Sequence, residues 1–113
     1  MKIKETMHDD IAVLKVSGNL MGGPETQELH SQVRSLVGEG ITKIVVDLSA
    51  VKWLNSSGLG VLMAAYTTAK NKGGALKLAG VHEKVQSLLM ITQLINFFEA
   101  HEDTEKAIAS FNS

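Results

Sequence analysis

The chain has 113 residues, of which 44% are hydrophobic and 20% are charged, the balance of an ordinary globular domain. Its formal net charge of -1 argues against a nucleic-acid partner, and the absence of Cys excludes disulfides, thiol catalysis and Cys-ligated metal sites. The length predicts one domain, residues 1–113. No signal segment and no apolar run long enough to cross a membrane is visible, so we expect a cytoplasmic protein that does not bind membranes.

Turn residues divide the chain into short segments whose apolar residues follow either the strand or the helix period. In chain order, the predicted segments are strands at 2–8 and 11–17, a helix at 25–37, a strand at 41–48, a helix at about 57–72, a strand at 75–79, a helix at 82–92, a short strand at 97–98 and a last helix capped by Asp103. The run Ile44-Val45-Val46 indicates a buried strand. This β-β-α-β-α-β-α-β-α order predicts an α/β fold with a mixed, mainly parallel sheet and helices covering one face.

The most informative segment follows the buried strand. There the sequence Asn55-Ser56-Ser57-Gly58-Leu59-Gly60 places two hydroxyls and two glycines where a helix begins. A helix start has N–H groups without partners and the positive end of the helix dipole, so it tolerates added negative charge. The glycines leave room for another protein to approach closely. Alternatively, Asn55, Ser56 or Ser57 simply caps the helix, and the glycines allow tight packing on the sheet.

No enzyme motif accompanies this segment. The sequence has neither a phosphate-binding G-x-x-x-x-G-K-[ST] loop nor a G-x-S-x-G nucleophile elbow. Gly58-Leu59-Gly60 begins a dinucleotide fingerprint, but Met63 occupies the place of the third glycine. The His residues lack metal-binding spacing. We therefore expect a protein that is not an enzyme, with no catalytic residue, metal or cofactor.

Several stretches together resemble the STAS domain, and within it the small bacterial anti-anti-sigma factors, also called anti-sigma factor antagonists. These stretches are Ile44-Val45-Val46-Asp47-Leu48, Trp53-Leu54-Asn55-Ser56-Ser57-Gly58-Leu59-Gly60-Val61-Leu62, Gly73-Gly74 and Leu76-Lys77-Leu78. The resemblance implies partner switching. The unphosphorylated antagonist binds an anti-sigma factor, usually also a serine kinase of the histidine-kinase-like ATPase fold, and a sigma factor is released. The kinase then phosphorylates the antagonist, and a PP2C-type phosphatase reverses this step.

On this sequence the resemblance assigns phosphorylation to Ser56, with Ser57 as the alternative. It assigns partner binding to Met21, Asn55, Ser56, Ser57, Gly58 and Leu59. Two of these positions depart from the family pattern, because many members have Asp at the place of Asn55 and an acidic residue at the place of Met21. Both changes remove negative charge near Ser56, and they indicate either a different kinase specificity or a domain that is not phosphorylated. The alternative function is therefore a phosphorylation-independent STAS scaffold, or an accessory subunit of a signalling or transport complex.

Three large side chains, Trp53, Met63 and Met90, also carry expectations. Trp53 either anchors an interface as an exposed aromatic residue or packs beneath the loop that supports Ser56. Met63 and Met90 are expected to fill the core. Both alternatives for Trp53 follow from the sequence equally well.

Overall fold

A computed structural model of the protein describes residues 1–112, so Ser113, the last residue of the predicted domain, lies outside the described part. In chain order its elements are β1 (Lys2–His8), β2 (Ile11–Leu20), α1 (Gly23–Gly38), β3 (Lys43–Leu54), α2 (Ser56–Asn71), β4 (Ala75–Ala79), α3 (Glu83–Ile91), a 3-10 turn (Leu94–Asn96), β5 (Ala100–His101) and α4 (Thr104–Phe111). The predicted order of strands and helices is confirmed. Within residues 1–112, no helix combines the length and the apolar character that crossing a bilayer requires.

The five strands form one sheet in the order β1-β2-β3-β4-β5. β1 is antiparallel to β2, and the remaining pairs are parallel, which confirms the mixed, mainly parallel sheet. In the parallel part, Leu20 at the end of β2 pairs with Leu54 at the end of β3. The segments that follow these two strands therefore leave the sheet side by side, although they are far apart in the sequence.

Helices lie on both faces of the sheet. The larger core contains Leu14 and Val46 and is covered by α1, α2 and α3, as predicted. The prediction that all helices cover one face is wrong for α4, whose Ala107 packs with Val13 and Val45 on the opposite face. The physical reason is strand alternation, because neighbouring apolar residues of β2 and β3 point to opposite faces and the second apolar face also needs cover.

Three further expectations are corrected by the structure. The last strand is Ala100–His101 and not the Phe97-Phe98 segment, because Phe98 instead packs edge-on against Tyr66 in the core, with ring centroids 5.3 Å apart. β3 continues past its predicted end at Leu48, because it pairs with β2 as far as Leu54, opposite Leu20. Met90 is 60% exposed and does not fill the core, whereas Met63 is half-buried against it.

Candidate functional site

The Asn55 segment lies at the edge of the sheet where β2 and β3 end. The Asn55 backbone N–H donates to the carbonyl oxygen of Leu20 at 3.2 Å. The Asn55 side-chain Nδ2 donates to the carbonyl oxygen of Met21 at 3.0 Å. One residue therefore ties the loop after β2 to the start of α2, across 34 positions of sequence.

Asn55 is also the cap of α2. Its backbone is extended, with φ -117° and ψ -174°, and its Oδ1 accepts a hydrogen bond from Gly58 N at 2.9 Å. An Asp side chain could accept the same bond, but as a carboxylate it has no N–H to donate to Met21. The Asn55 amide therefore makes two hydrogen bonds: its oxygen accepts from Gly58 N, and its nitrogen donates to the Met21 carbonyl oxygen. An Asp carboxylate could make only the first.

Because Asn55 caps the helix, the two serine hydroxyls are not needed for capping. Ser56 and Ser57 are both exposed, and within residues 1–112 neither hydroxyl has a hydrogen-bond partner. Their backbone N–H groups, in the first turn of α2, are also without partners in the described part of the chain. The site therefore presents free donors and hydroxyls at the positive end of a helix, which is a favourable place for negative charge.

Two glycines bring the surrounding backbone close to this helix start. A Cβ on Gly58 would lie 2.0 Å from the carbonyl oxygen of Leu20, so only glycine lets α2 approach the end of β2 this closely. Gly22 has φ +90°, and a Cβ there would lie 2.7 Å from Ser57 Cβ. A Cβ added to Gly60, by contrast, would have nothing within 4 Å, so the surface at Gly60 is open to another molecule.

The predicted site residues divide into an exposed and a buried group. Three have exposed side chains and lie together around the start of α2: Met21, Ser56 and Ser57. Asn55 is half-buried beneath them. The predicted part of Gly58 and Leu59 in partner binding stays a prediction, since Gly58 is buried against β2 and Leu59, only 2% exposed, belongs to the core. These two residues support the surface from below.

The structure adds two residues to the site that the sequence analysis missed. Gly22 packs against Ser57, and its backbone N–H donates to Thr26 Oγ1 at 3.1 Å. Thr26 is 1% exposed, so this bond fixes the loop after β2 from inside the protein. The sequence Gly22-Gly23-Pro24 is typical of a turn and indicates this loop, but no local pattern indicates that the loop packs beside Ser57.

The exposed side of the site continues to Trp53, which is 50% exposed. Of the two alternatives for this residue, the structure favours the exposed one. Elsewhere, two half-buried His side chains have hydrogen-bond partners: His30 Nε2 lies 2.9 Å from Thr68 Oγ1, and His82 Nε2 lies 2.8 Å from the Val51 carbonyl oxygen. Within the described residues, His, Asp and Glu form no group of three that could hold a metal.

The mixed five-stranded sheet, with a serine-bearing helix start at the ends of its central strands, defines the class of this protein. The family model of the STAS domain matches residues 2–107, and the chain belongs to the STAS domain family. Among its relatives, the anti-sigma-B factor antagonist of Staphylococcus epidermidis is 30% identical over 107 residues, which cover 93% of this chain and 96% of the relative.

Solved structures show the same fold. An anti-sigma factor antagonist from Mycobacterium paratuberculosis superposes with a TM-score of 0.84 at 24% identity, over 99% of this chain and 94% of the other. The Bacillus cell fate determinant SpoIIAA in its phosphorylated form superposes with a TM-score of 0.77 at 15% identity, over 97% and 99%. At these identities the likeness concerns the fold.

Proposed function

We propose that the protein is a cytoplasmic anti-sigma factor antagonist that works as a binding protein and not as an enzyme. In its unphosphorylated form it binds an anti-sigma factor that is also a serine kinase of the histidine-kinase-like ATPase fold, and a sigma factor is released. Phosphorylation of Ser56 ends the binding, and a PP2C-type phosphatase restores it. The observation that carries this proposal is the exposed, unbonded hydroxyl of Ser56 at the start of α2. The 30% identical anti-sigma-B factor antagonist supports it.

The surroundings of the two serines favour Ser56 over Ser57 as the modified residue. Ser57 faces the loop after β2, where its Cβ lies so near Gly22 that a side chain on Gly22 could not be added. Ser56 lies one residue earlier and is exposed. A kinase active site must enclose the hydroxyl, so the less crowded serine is the better substrate.

Charge explains how the modification would end binding without unfolding the protein. A phosphoryl group adds about -1.5 to -2 charges, which changes the net charge from -1 to roughly -3. The free N–H groups of Ser56 and Ser57 and the helix dipole can accommodate this charge in the isolated protein. Asn55 and Met21 are neutral and do not repel it. In a complex, the same group would have to lose its water and fit against a packed surface, which is unfavourable.

The test is a phosphorylation assay with matched serine variants. The protein is incubated with ATP and with each purified serine kinase of the histidine-kinase-like ATPase fold from the source organism, and the phosphoryl group is located by mass spectrometry. We expect phosphate on Ser56, its loss in Ser56→Ala and its retention in Ser57→Ala. Phosphate on Ser57 alone, or on neither serine, contradicts the proposed switch.

A second variant tests the consequence for binding. Ser56→Glu places a permanent negative charge at the first position of α2, and we expect it to weaken kinase binding about tenfold or more, with little change in melting temperature. Thr67→Glu, an exposed position about three turns further along α2, is the control for charge alone, and it should change kinase binding less than about twofold.

The second candidate function is a phosphorylation-independent STAS scaffold or accessory subunit of a signalling or transport complex. The observation that favours it is the neutral pair Asn55 and Met21, joined by a hydrogen bond that a carboxylate at position 55 could not make. It predicts that a partner binds the wild-type protein and Ser56→Glu equally well.

A further inference from the structure

An apolar groove lies beside the Ser56 surface, between the end of β3 and α3. Its volume is about 520 Å³, and its lining residues are Trp53, Glu83, Lys84, Ser87, Leu88 and Ile91. Trp53 is 50% exposed and Ile91 is 78% exposed, so two large apolar side chains face water along one groove. Grouped apolar side chains of this kind mark interaction sites, whereas singly scattered ones do not.

The fold itself creates the groove. The last pair between β3 and β4 joins Asp47 to Ala79, and β3 then continues without a neighbouring strand on that side. α3 lies beside this free part of β3, and His82, directly before α3, is held there by its contact of 2.8 Å with the Val51 carbonyl oxygen. Trp53 therefore stands next to a helix surface with no strand between them.

A partner that covers Ser56 also reaches this groove. Trp53 precedes Ser56 by three residues, so their Cα atoms are at most about 11 Å apart. A specific interface buries about 800 Å² on each partner, which corresponds to a circular footprint with a radius of roughly 16 Å. A footprint of this size centred on Ser56 includes Trp53, and it also includes Met21, whose carbonyl oxygen lies 3.0 Å from Asn55 Nδ2.

The Ser56 surface and the groove differ in composition, and this difference indicates what each would contribute to the binding energy. Ser56, Ser57 and Gly60 offer a small polar surface, whereas buried aromatic anchors supply most of the energy of typical interfaces. The charged lining residues, Glu83 and Lys84, have opposite signs, so the groove does not select a charged group. We propose that the groove binds an apolar side chain of the same anti-sigma factor that covers Ser56. This inference rests on the function proposed above.

The only Trp of the chain allows a direct test. The protein is labelled with 5-fluorotryptophan, which gives one ¹⁹F resonance from Trp53, and each purified serine kinase of the histidine-kinase-like ATPase fold is added without ATP. We expect the kinase that binds to shift this resonance, and we expect no shift when the same kinase is added to labelled Ser56→Glu. Labelling only this chain keeps Trp residues of the kinase out of the spectrum.

A matched pair of variants on α3 measures the energetic contribution. Ile91→Glu places a carboxylate in the groove and should weaken kinase binding about tenfold or more. Met90→Glu adds the same charge to the neighbouring residue, which is 60% exposed and does not line the groove, and should change binding less than about twofold. Melting temperatures of both variants show whether they are folded.

The outcomes separate this inference from the proposed function. If binding depends on Ser56 while the ¹⁹F resonance stays in place and Ile91→Glu binds like Met90→Glu, the groove inference is refuted and the proposed function stands. If no kinase binds, or binding ignores Ser56→Glu, the proposed function fails and this inference fails with it. A resonance that shifts with the concentration of the protein alone places a second copy in the groove and also refutes the inference.

Discussion

Replacing Gly58 by Ala tests the close contact between α2 and the end of β2. The new Cβ would lie 2.0 Å from the Leu20 carbonyl oxygen and 2.8 Å from the Leu20 carbonyl carbon. Both are backbone atoms, so either the helix or the strand must move. Overpacking costs about 1–3 kcal/mol, and a contact this short belongs at the upper end. Ala gains up to about 1 kcal/mol over Gly in helix propensity, so we expect a net loss of about 2 kcal/mol.

The assay is thermal unfolding of the variant beside the parent protein. For 113 residues the unfolding entropy is about 0.24 kcal/mol/K, so a loss of 2 kcal/mol lowers the melting temperature by about 8 °C. Gly60→Ala is the matched control, because the same helix turn has nothing within 4 Å of the new Cβ. It should gain up to about 1 kcal/mol, and its melting temperature should rise by up to about 4 °C.

The essential result is that the melting temperature falls in Gly58→Ala and rises in Gly60→Ala. If Gly58→Ala is as stable as Gly60→Ala, the start of α2 is not in close contact with the end of β2. The explanation that glycine is needed at position 58 for packing is then refuted. If both variants lose stability equally, the cause lies in a general need for glycine in this helix turn and not in contact with Leu20.

Three further predictions concern stability. Asn55→Ala removes the cap of α2 and the bond to Met21, and should lower the free energy of unfolding in urea by about 1–2 kcal/mol, whereas Asn55→Asp keeps the cap and recovers part of this loss. Burial lowers the pKa of His30 below 6.5, so the unfolded chain binds more protons and urea stability should rise with pH in the interval below 6.5; His30→Asn should flatten this rise. The hydrogen bond from His101 lowers the pKa of Glu99 below 4.5, so its contribution should be full above 4.5 and disappear as the pH falls further, and Glu99→Gln should remove this acid-sensitive part.

Each of these predictions has a contradicting result. An Asn55→Ala variant as stable as the parent would mean that the cap is not needed. A His30→Asn variant with the same dependence on pH as the parent would assign the slope between the two His30 pKa values to another group. For Glu99, the decisive observation is how stability in urea falls at acid pH. If Glu99→Gln loses stability below pH 4.5 in the same way as the parent protein, the prediction is contradicted.

The sequence predicted most elements of the fold because their signals are local. The apolar run Ile44-Val45-Val46 and the glycine pairs are visible without knowledge of the tertiary structure. The wrong predictions concern features that tertiary contacts determine. Phe97-Phe98 has the composition of a strand, yet Phe98 is used as a packing residue against Tyr66 and the short β5 forms after it. The placement of α4 depended on which face of the sheet still lacked cover, and the order of elements does not contain this information.

For the candidate site too, the sequence predicted the local features and missed those that depend on tertiary contacts. The helix start at Ser56 was predictable because N-cap chemistry involves residues within one turn, and the structure assigns the cap to Asn55. The bond from Asn55 to Met21 and the packing of Gly22 on Ser57 join segments more than 30 positions apart, and no local pattern indicates them. The groove beside Trp53 likewise exists only because α3 returns to the free end of β3.

The close contact of Gly58 with the backbone at the end of β2 has a consequence for the speed of the proposed switch. Under the proposed switch, a serine on such a closely packed helix start would gain or lose its phosphoryl group without a rearrangement of the chain, so no slow conformational step would separate the two signalling states. The duration of a response would then be set by the competing kinase and phosphatase alone. A cell would then lengthen or shorten its response by changing the amounts of these enzymes, with no change in this protein.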